Sequence, residues 1–144
     1  MKKRIFLDTT IVLDLLGKRV PFFDSIAKIA TLAEQKRCTL VVSGLSYSTA
    51  NYVLGKYEHL DIVRSNLRKL NTISTIANVS ELVVEQALNS DFKDFEDALQ
   101  YFCALQSTCD VLLTRDAKDF KNSVIPVMTA DEFLQFYIQQ HYHT

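Results

Sequence analysis

Short unbroken apolar runs alternate along this chain with longer stretches whose apolar positions recur every three to four residues. Arg4-Ile-Phe-Leu7 reads as a buried strand closed by Asp8, and Thr9 to Leu16 reads as a helix stopped by Gly17. After Pro21, Phe22, Ile26, Ile29 and Ala33 line one helical face. Thr39 to Val42 is a second strand, and Leu45 to Tyr57 and His59 to Leu70 are two helices. Thr72 to Ala77, rich in β-branched residues, is a third strand. Helices follow from Ser80 to Leu88 and from Asp94, where Phe95, Ala98, Leu99, Phe102 and Leu105 share a face. Val111 to Thr114 is a fourth strand, and Val124 to Val127 a short fifth whose proline suits an edge. Thr129-x-x-Glu132 is a capping box ahead of a last helix. Strands that are apolar throughout and alternate with helices predict an α/β fold, a mostly parallel sheet of about five strands covered on both faces.

With 144 residues and no repeat, low-complexity run or linker, the pattern predicts a single domain, 1–144. No apolar run approaches the roughly 18 residues of a membrane span. The basic start, Met1-Lys2-Lys3-Arg4, is followed only by Ile5-Phe6-Leu7 before Asp8, too little for a signal peptide. A cytoplasmic protein without a membrane partner is expected. The three cysteines (38, 103 and 109) agree with a reducing setting, because their number is odd and no C-x-x-C occurs. His141-x-His143 is read as a solvated terminus before a metal site. Charge changes the picture more. The first 72 residues hold 12 Lys and Arg against 6 Asp and Glu, and the last 72 hold 4 against 11. Either the halves intermix and cancel, or a charged partner lies on one side and a carboxylate cluster on the other.

Open parallel sheets place their sites at the carboxyl ends of the strands. Asp8 ends the first strand, Arg115 and Asp116 follow the fourth, and Asp97 sits in the first turn of the preceding helix. Each has a local alternative. Asp8 suits a cap for the helix at Thr9, Asp97 favours a helix N-terminus by its charge, and Asp116 and Asp119 suit a turn. Three carboxylates on one rim are costly together, since two unit charges about 4 Å apart repel by about 4 kcal/mol at an effective dielectric of 20. A Mg²⁺ or Mn²⁺ ion removes that repulsion, and hard oxygen ligands suit both. Such a site polarises a phosphate and activates water for phosphodiester cleavage.

Leu7-Asp8-Thr9-Thr10, Asp94-Phe-Glu-Asp-Ala-Leu-Gln100 and Leu113-Thr-Arg-Asp-Ala-Lys-Asp-Phe120 together resemble the PIN-domain family, metal-dependent ribonucleases that include the VapC toxins of toxin–antitoxin pairs. The resemblance spans essentially the whole chain. It implies a parallel α/β/α sandwich with Asp8, Asp97 and Asp116 as the catalytic, metal-holding carboxylates. It sets Glu96 and Asp119 nearby as supporting residues, with Thr9 or Thr114 hydrogen-bonded to a ligand carboxylate. It implies Mg²⁺ or Mn²⁺ as cofactor, RNA as substrate, a small antitoxin as partner and a homodimer. One position departs from the pattern. Where the family carries a Glu early in the helix after the second strand, Thr49 stands here, with Asn51 two residues on. Asn51 lies about 200° round a helix from Thr49, so only one of them faces the site. The site would keep three carboxylates, and the second reading is a weakened module that binds RNA or a protein without cutting.

Basic residues bear on the same question. Arg64, Arg68 and Lys69 lie at helical spacing before the third strand, and Arg115 adjoins Asp116. They are candidates for RNA phosphate contacts, the α-helical group being equally an ordinary solvated face. Tyr47, Tyr52 and Tyr57 are read as core or interface packing residues before base-stacking ones, and the aromatic tail Phe133, Phe136, Tyr137 and Tyr142 as either a self-interface or core, with core preferred for Phe133 and Tyr137. A third class is set aside. Phosphatases of the haloacid dehalogenase type want a second Asp two residues after the first, where Thr10 stands. No P-loop, G-x-G-x-x-G, G-x-S-x-G or H-E-x-x-H segment occurs.

Overall fold

A computed structural model describes residues 2–142; His143 of the terminal His-x-His lies outside them, as does the side chain of Tyr142. Five parallel strands run in the order β3-β2-β1-β4-β5, with β1 Lys3–Leu7, β2 Cys38–Ser43, β3 Ser74–Ala77, β4 Val111–Leu113 and β5 Val127–Met128. The helices are α1 Thr9–Leu16, α2 Phe23–Glu34, α3 Gly44–Leu54, α4 Leu60–Ile73, α5 Glu81–Leu88, α6 Phe95–Gln106 and α7 Ala130–Tyr142, with one 3-10 turn at Ala117–Phe120.

Strand alternation divides the core between the two faces of the sheet. Ile5, Leu7, Leu40, Val42, Val111 and Leu113 point to one face, under Ile11 and Val12 of α1, Ile26 and Ile29 of α2, Ala50 of α3, Val63 of α4 and Phe133 of α7. Phe6, Val41 and Leu112 point to the other, under Val83 of α5, Tyr101 and Ala104 of α6, and Phe120. Both faces are therefore dry, which explains why the strands read as continuous apolar runs. Phe133 is buried and Tyr137 packs beside it, whereas Tyr52 and Tyr57 are exposed, and Tyr47 packs partly against the core. The exposed pair corrects the expectation of core packing at Tyr52 and Tyr57, and leaves packing at an interface as the other half of that expectation. Tyr52 lies under the Lys56 ammonium, 4.5 Å from its ring centre.

Capping follows the local chemistry. Asp8 accepts from the Thr9 N–H, and Asp94 accepts from the Asp97 N–H. Thr129 and Glu132 exchange both bonds of the capping box, at 2.9 and 3.0 Å. The fifth strand lies later than the periodicity predicts. Val124 is exposed, and Ser123 folds the chain into a turn by accepting from Ile125 N–H. Pro126 has no N–H but its carbonyl accepts from Leu112 at 3.0 Å, so pairing begins only there. Helix α3 stops at Leu54 and not Tyr57, at Gly55, and α4 runs on through Ile73, which shortens β3. The three cysteines are free and buried, and burial pushes the thiols up, to about 11 for Cys38 and Cys103 and about 12 for Cys109. No helix among the described residues is long and apolar enough to cross a membrane.

Candidate metal centre

The strand order reverses between β1 and β4: the chain winds outward from β1 through β2 to β3, then returns to the other side of β1. A crevice opens at the carboxyl ends of the two strands where such a sheet switches direction. Here it is a cleft of about 640 Å³. Asp8, Thr9, Thr10, Thr49, Asp94, Glu96, Asp97, Thr114, Arg115, Asp116, Asp119 and Phe22 line it. All the predicted site residues except Arg64, Arg68 and Lys69 thus share one concavity. Those three lie on the exposed face of α4, outside the cleft. Helical spacing showed that Arg64 and Arg68 lie one turn apart but not where that side of the helix points.

Asp8 is the anchored member. Its backbone N–H donates to Leu113 O of β4 at 3.0 Å, which ties the end of β1 to the end of β4. The residue is 7% exposed. Oδ1 accepts from Thr9 N–H at 2.9 Å and, more weakly, from the Gln100 amide at 3.5 Å. Oδ2 accepts from the Thr114 hydroxyl at 2.9 Å. Burial raises the Asp8 pKa, opposed by these three donors, with the Glu96 charge adding a small upward push. A carboxylate offers about four acceptor positions, so room remains on Asp8 for a further cation.

A buried polar network backs the anchor. The Gln100 amide donates to Ser46 Oγ at 2.8 Å and to Thr9 Oγ1 at 2.9 Å. Ser46 and Thr9 are 2.7 Å apart, and Thr9 donates to Glu96 Oε1 at 3.2 Å. With Thr9 donating to Glu96, the Ser46 hydroxyl donates to Thr9, and both hydroxyl protons of this network have an acceptor. Ser46 and Gln100 are functional candidates that reading the sequence did not single out. Their signal is helical spacing: Ser46 stands three residues before Thr49 on α3, and Gln100 three after Asp97 on α6. Thr49 lines the cleft and Asn51 does not, as the angle between them requires.

Asp97 is the strained member. It is partly buried, and no N–H or O–H donor reaches its carboxylate among the described residues. Burial first, then the charges of Asp94, Asp8, Asp119 and Glu96, push its pKa up to about 7. Asp116 sits at the outer wall, 3.8 Å from the exposed Lys118 ammonium, with its N–H donating to Thr114 Oγ1 at 3.2 Å. Asp119 lies in the following 3-10 turn.

The donor set is entirely oxygen and rich in carboxylates, as a hard divalent cation requires. The unrelieved repulsion at Asp97 is the kind that such a cation removes. No three acidic, imidazole or thiol side chains among the described residues are already gathered around one point. That spacing still suits Mg²⁺, which keeps several waters and needs only one or two direct carboxylates.

Comparison with known proteins bears on the same cleft. The family model of the PIN domain matches residues 4–118. The chain is 30% identical over 145 positions to Ribonuclease VapC1 of Aquifex aeolicus (strain VF5), covering 92% of this chain and 94% of that one. Among solved structures it is similar to a toxin-antitoxin complex from Klebsiella pneumoniae, with a TM-score of 0.65 and 22% identity over 88% of this chain and 97% of that one. It is likewise similar to Mycobacterium tuberculosis VapC20, described as a Sarcin-Ricin loop cleaving toxin, with a TM-score of 0.64 and 15% identity over 82% of this chain and 94% of that one. At these identities the two structural likenesses speak for the fold.

Proposed function

Because the chain belongs to the PIN domain family, we propose that it is an endoribonuclease that hydrolyses RNA phosphodiester bonds at the acidic cleft, using Mg²⁺ or Mn²⁺. The observation that carries this reading is the convergence of Asp8, Asp97 and Asp116, from three separate elements, on one cleft at the switch point of the sheet. Asp8 would hold the ion directly, and Asp97 and Asp116 would complete its shell, directly or through water. The ion, when bound, offsets the negative charge of the phosphate and lowers the pKa of water. The chain's own residues do the rest. Thr114 and the Thr9 N–H keep the Asp8 carboxylate in a single orientation. Gln100, Ser46 and Thr9 form the dry wall behind it and hold Glu96 at the cleft edge. Arg64, Arg68 and Lys69 would add phosphate contacts outside the cleft, independent of sequence.

The likeness to Ribonuclease VapC1, together with the fold shared with the toxin-antitoxin complex, supports a toxin role with a small antitoxin as partner. A homodimer is part of the same proposal. One observation favours a second reading, a module that binds RNA or protein without cleaving: Thr49 lines the cleft with an uncharged side chain where the family carries a Glu. Incubating antitoxin-free protein with a mixed RNA panel, with Mg²⁺ and with Mn²⁺, separates the two. Cleavage that is lost on chelation and in Asp8→Asn is expected. Folded protein that binds RNA but leaves it intact at every ion concentration would favour the module.

A further inference from the structure

We propose that Arg115 is a prebuilt subsite for a backbone phosphate of the bound strand, beside the phosphate that is cut, and that buried Asp14 is the residue that positions it. The proposal rests on RNA as the ligand of the cleft. Arg115 stands between two cavities, the carboxylate cleft and an adjoining one of about 380 Å³. Its guanidinium is held on two sides. Nε lies 3.1 Å from Asp14 Oδ2, and Cζ lies 4.2 Å from the centre of the Phe22 ring. Asp14 is 1% exposed, and neither of its oxygens receives a well-aimed hydrogen bond among the described residues. The Arg115 contact is therefore a charge pairing and not a saturated bidentate bridge.

This arrangement is hard to account for as packing. Asp14 is the one acid in α1, set among Ile11, Val12, Leu13, Leu15 and Leu16, and burying it is unfavourable by itself. Burial raises its pKa, and the Arg115 charge, followed by Arg19, opposes that. A carboxylate kept under these conditions holds one guanidinium in one place. That leaves the two terminal nitrogens of Arg115 without a protein acceptor among the described residues, at the edge of the cleft. A planar fork of N–H donors fixed in orientation matches the oxygens of a phosphate, and fixing it beforehand reduces the ordering lost on binding. Asp14 and Phe22, which hold Arg115, line the adjoining cavity with it, so Arg115 would meet a phosphate beside the one at the carboxylates. Lysine would supply the charge but neither the fork nor the stacked face.

The test uses a short fluorescein-labelled single-stranded RNA. Binding is read by anisotropy in EDTA over a KCl series, and cleavage is followed with Mg²⁺ or Mn²⁺. Arg115→Ala is expected to weaken binding about tenfold and to flatten the slope of log affinity against log salt by about 0.7, one phosphate on a single strand. It should raise KM more than it lowers kcat. Arg115→Lys should keep the salt slope yet bind several-fold more weakly. Asp14→Asn should weaken binding in the native background and have no further effect beside Arg115→Ala, because Asp14 acts only through that side chain. An unchanged salt slope in Arg115→Ala overturns the subsite. An equal loss from Asp14→Asn in both backgrounds overturns the positioning role. If Asp14→Asn does not fold, Phe22→Leu removes the stacked face and is held to the same two-background comparison. Cleavage by the native protein that is indifferent to Arg115→Ala leaves the nuclease reading standing without the subsite. Salt-dependent binding lost in Arg115→Ala, with no cleavage by the native protein, does the reverse.

Discussion

Asp8 and Asp97 open onto one cleft, but their surroundings treat the same carboxylate in opposite ways. Asp8 accepts from the Thr9 N–H, the Thr114 hydroxyl and the Gln100 amide. Asp97 has no such donor among the described residues and instead faces Asp94, Asp8, Asp119 and Glu96. Burial pushes both pKa values up. Donors oppose the rise at Asp8, whereas only more negative charge is added at Asp97, which reaches about 7. The inner wall supplies donors that fix the Asp8 oxygens in place. The outer wall is left repelling itself, and a proton or a cation relieves it.

The strongest way to break this comparison is to remove the anchor's charge. Asp8→Asn should lower RNA cleavage by at least about 100-fold while the protein stays folded. Full activity in that variant would falsify the assignment of Asp8 as metal ligand. Next comes the support of the anchor. Thr114→Val removes the donor to Asp8 Oδ2 without changing shape, and denaturant titration should show a loss of about 1–3 kcal/mol. A loss within experimental error would mean that water replaces the hydroxyl.

The outer wall predicts a pH effect of defined sign. The folded pKa of Asp97, about 7, lies above its ordinary value of 3.8, so between those values the folded chain holds a proton that the unfolded chain releases. Metal-free protein should therefore lose stability as pH rises from about 4 to about 7, with the full benefit present below that window. Thermal melts in EDTA should show the decline shrinking in Asp97→Asn. An identical decline in that variant would place the repulsion elsewhere. Addition of Mn²⁺ should remove most of the decline in the native protein. A smaller effect is expected from placing a charge at position 49. Thr49→Glu should tighten Mn²⁺ binding by roughly tenfold in calorimetry, because one more carboxylate enters the cleft. The smallest effect belongs to α4. Replacing Arg64 and Arg68 by Ala should leave stability within about 0.5 kcal/mol and weaken RNA binding less than Arg115→Ala does.

Legibility in the sequence varied with how local the physics was. Strands β1, β2 and β4 were readable because both faces of the sheet are dry, which makes each strand a plain apolar run. The cap at Asp8 and the box at Thr129 and Glu132 were readable because both partners are a few residues apart. Strand β5 was placed too early because an apolar stretch does not reveal that Val124 faces solvent and that Pro126 pairs only through its carbonyl. Ser46, Gln100 and Asp14 were missed for a related reason. A serine, a glutamine or an acid on a helix reads as surface until its partner is known, and Gln100 meets Thr9 across 91 residues of chain.

The alternation of apolar runs and helical periods by itself determined an α/β chain with a parallel sheet, and the polar residues just past each strand marked the rim where a site belongs. Only the tertiary structure decided which charges meet there. It brought Arg115 onto Asp14 and Phe22, left Arg64, Arg68 and Lys69 outside, and placed Thr49 in the cleft and Asn51 out of it. The reason is physical. Periodicity states which side of an element is apolar, but the crossover from β1 outward to β3 and back to β4 selects the neighbours, and charges act on their neighbours.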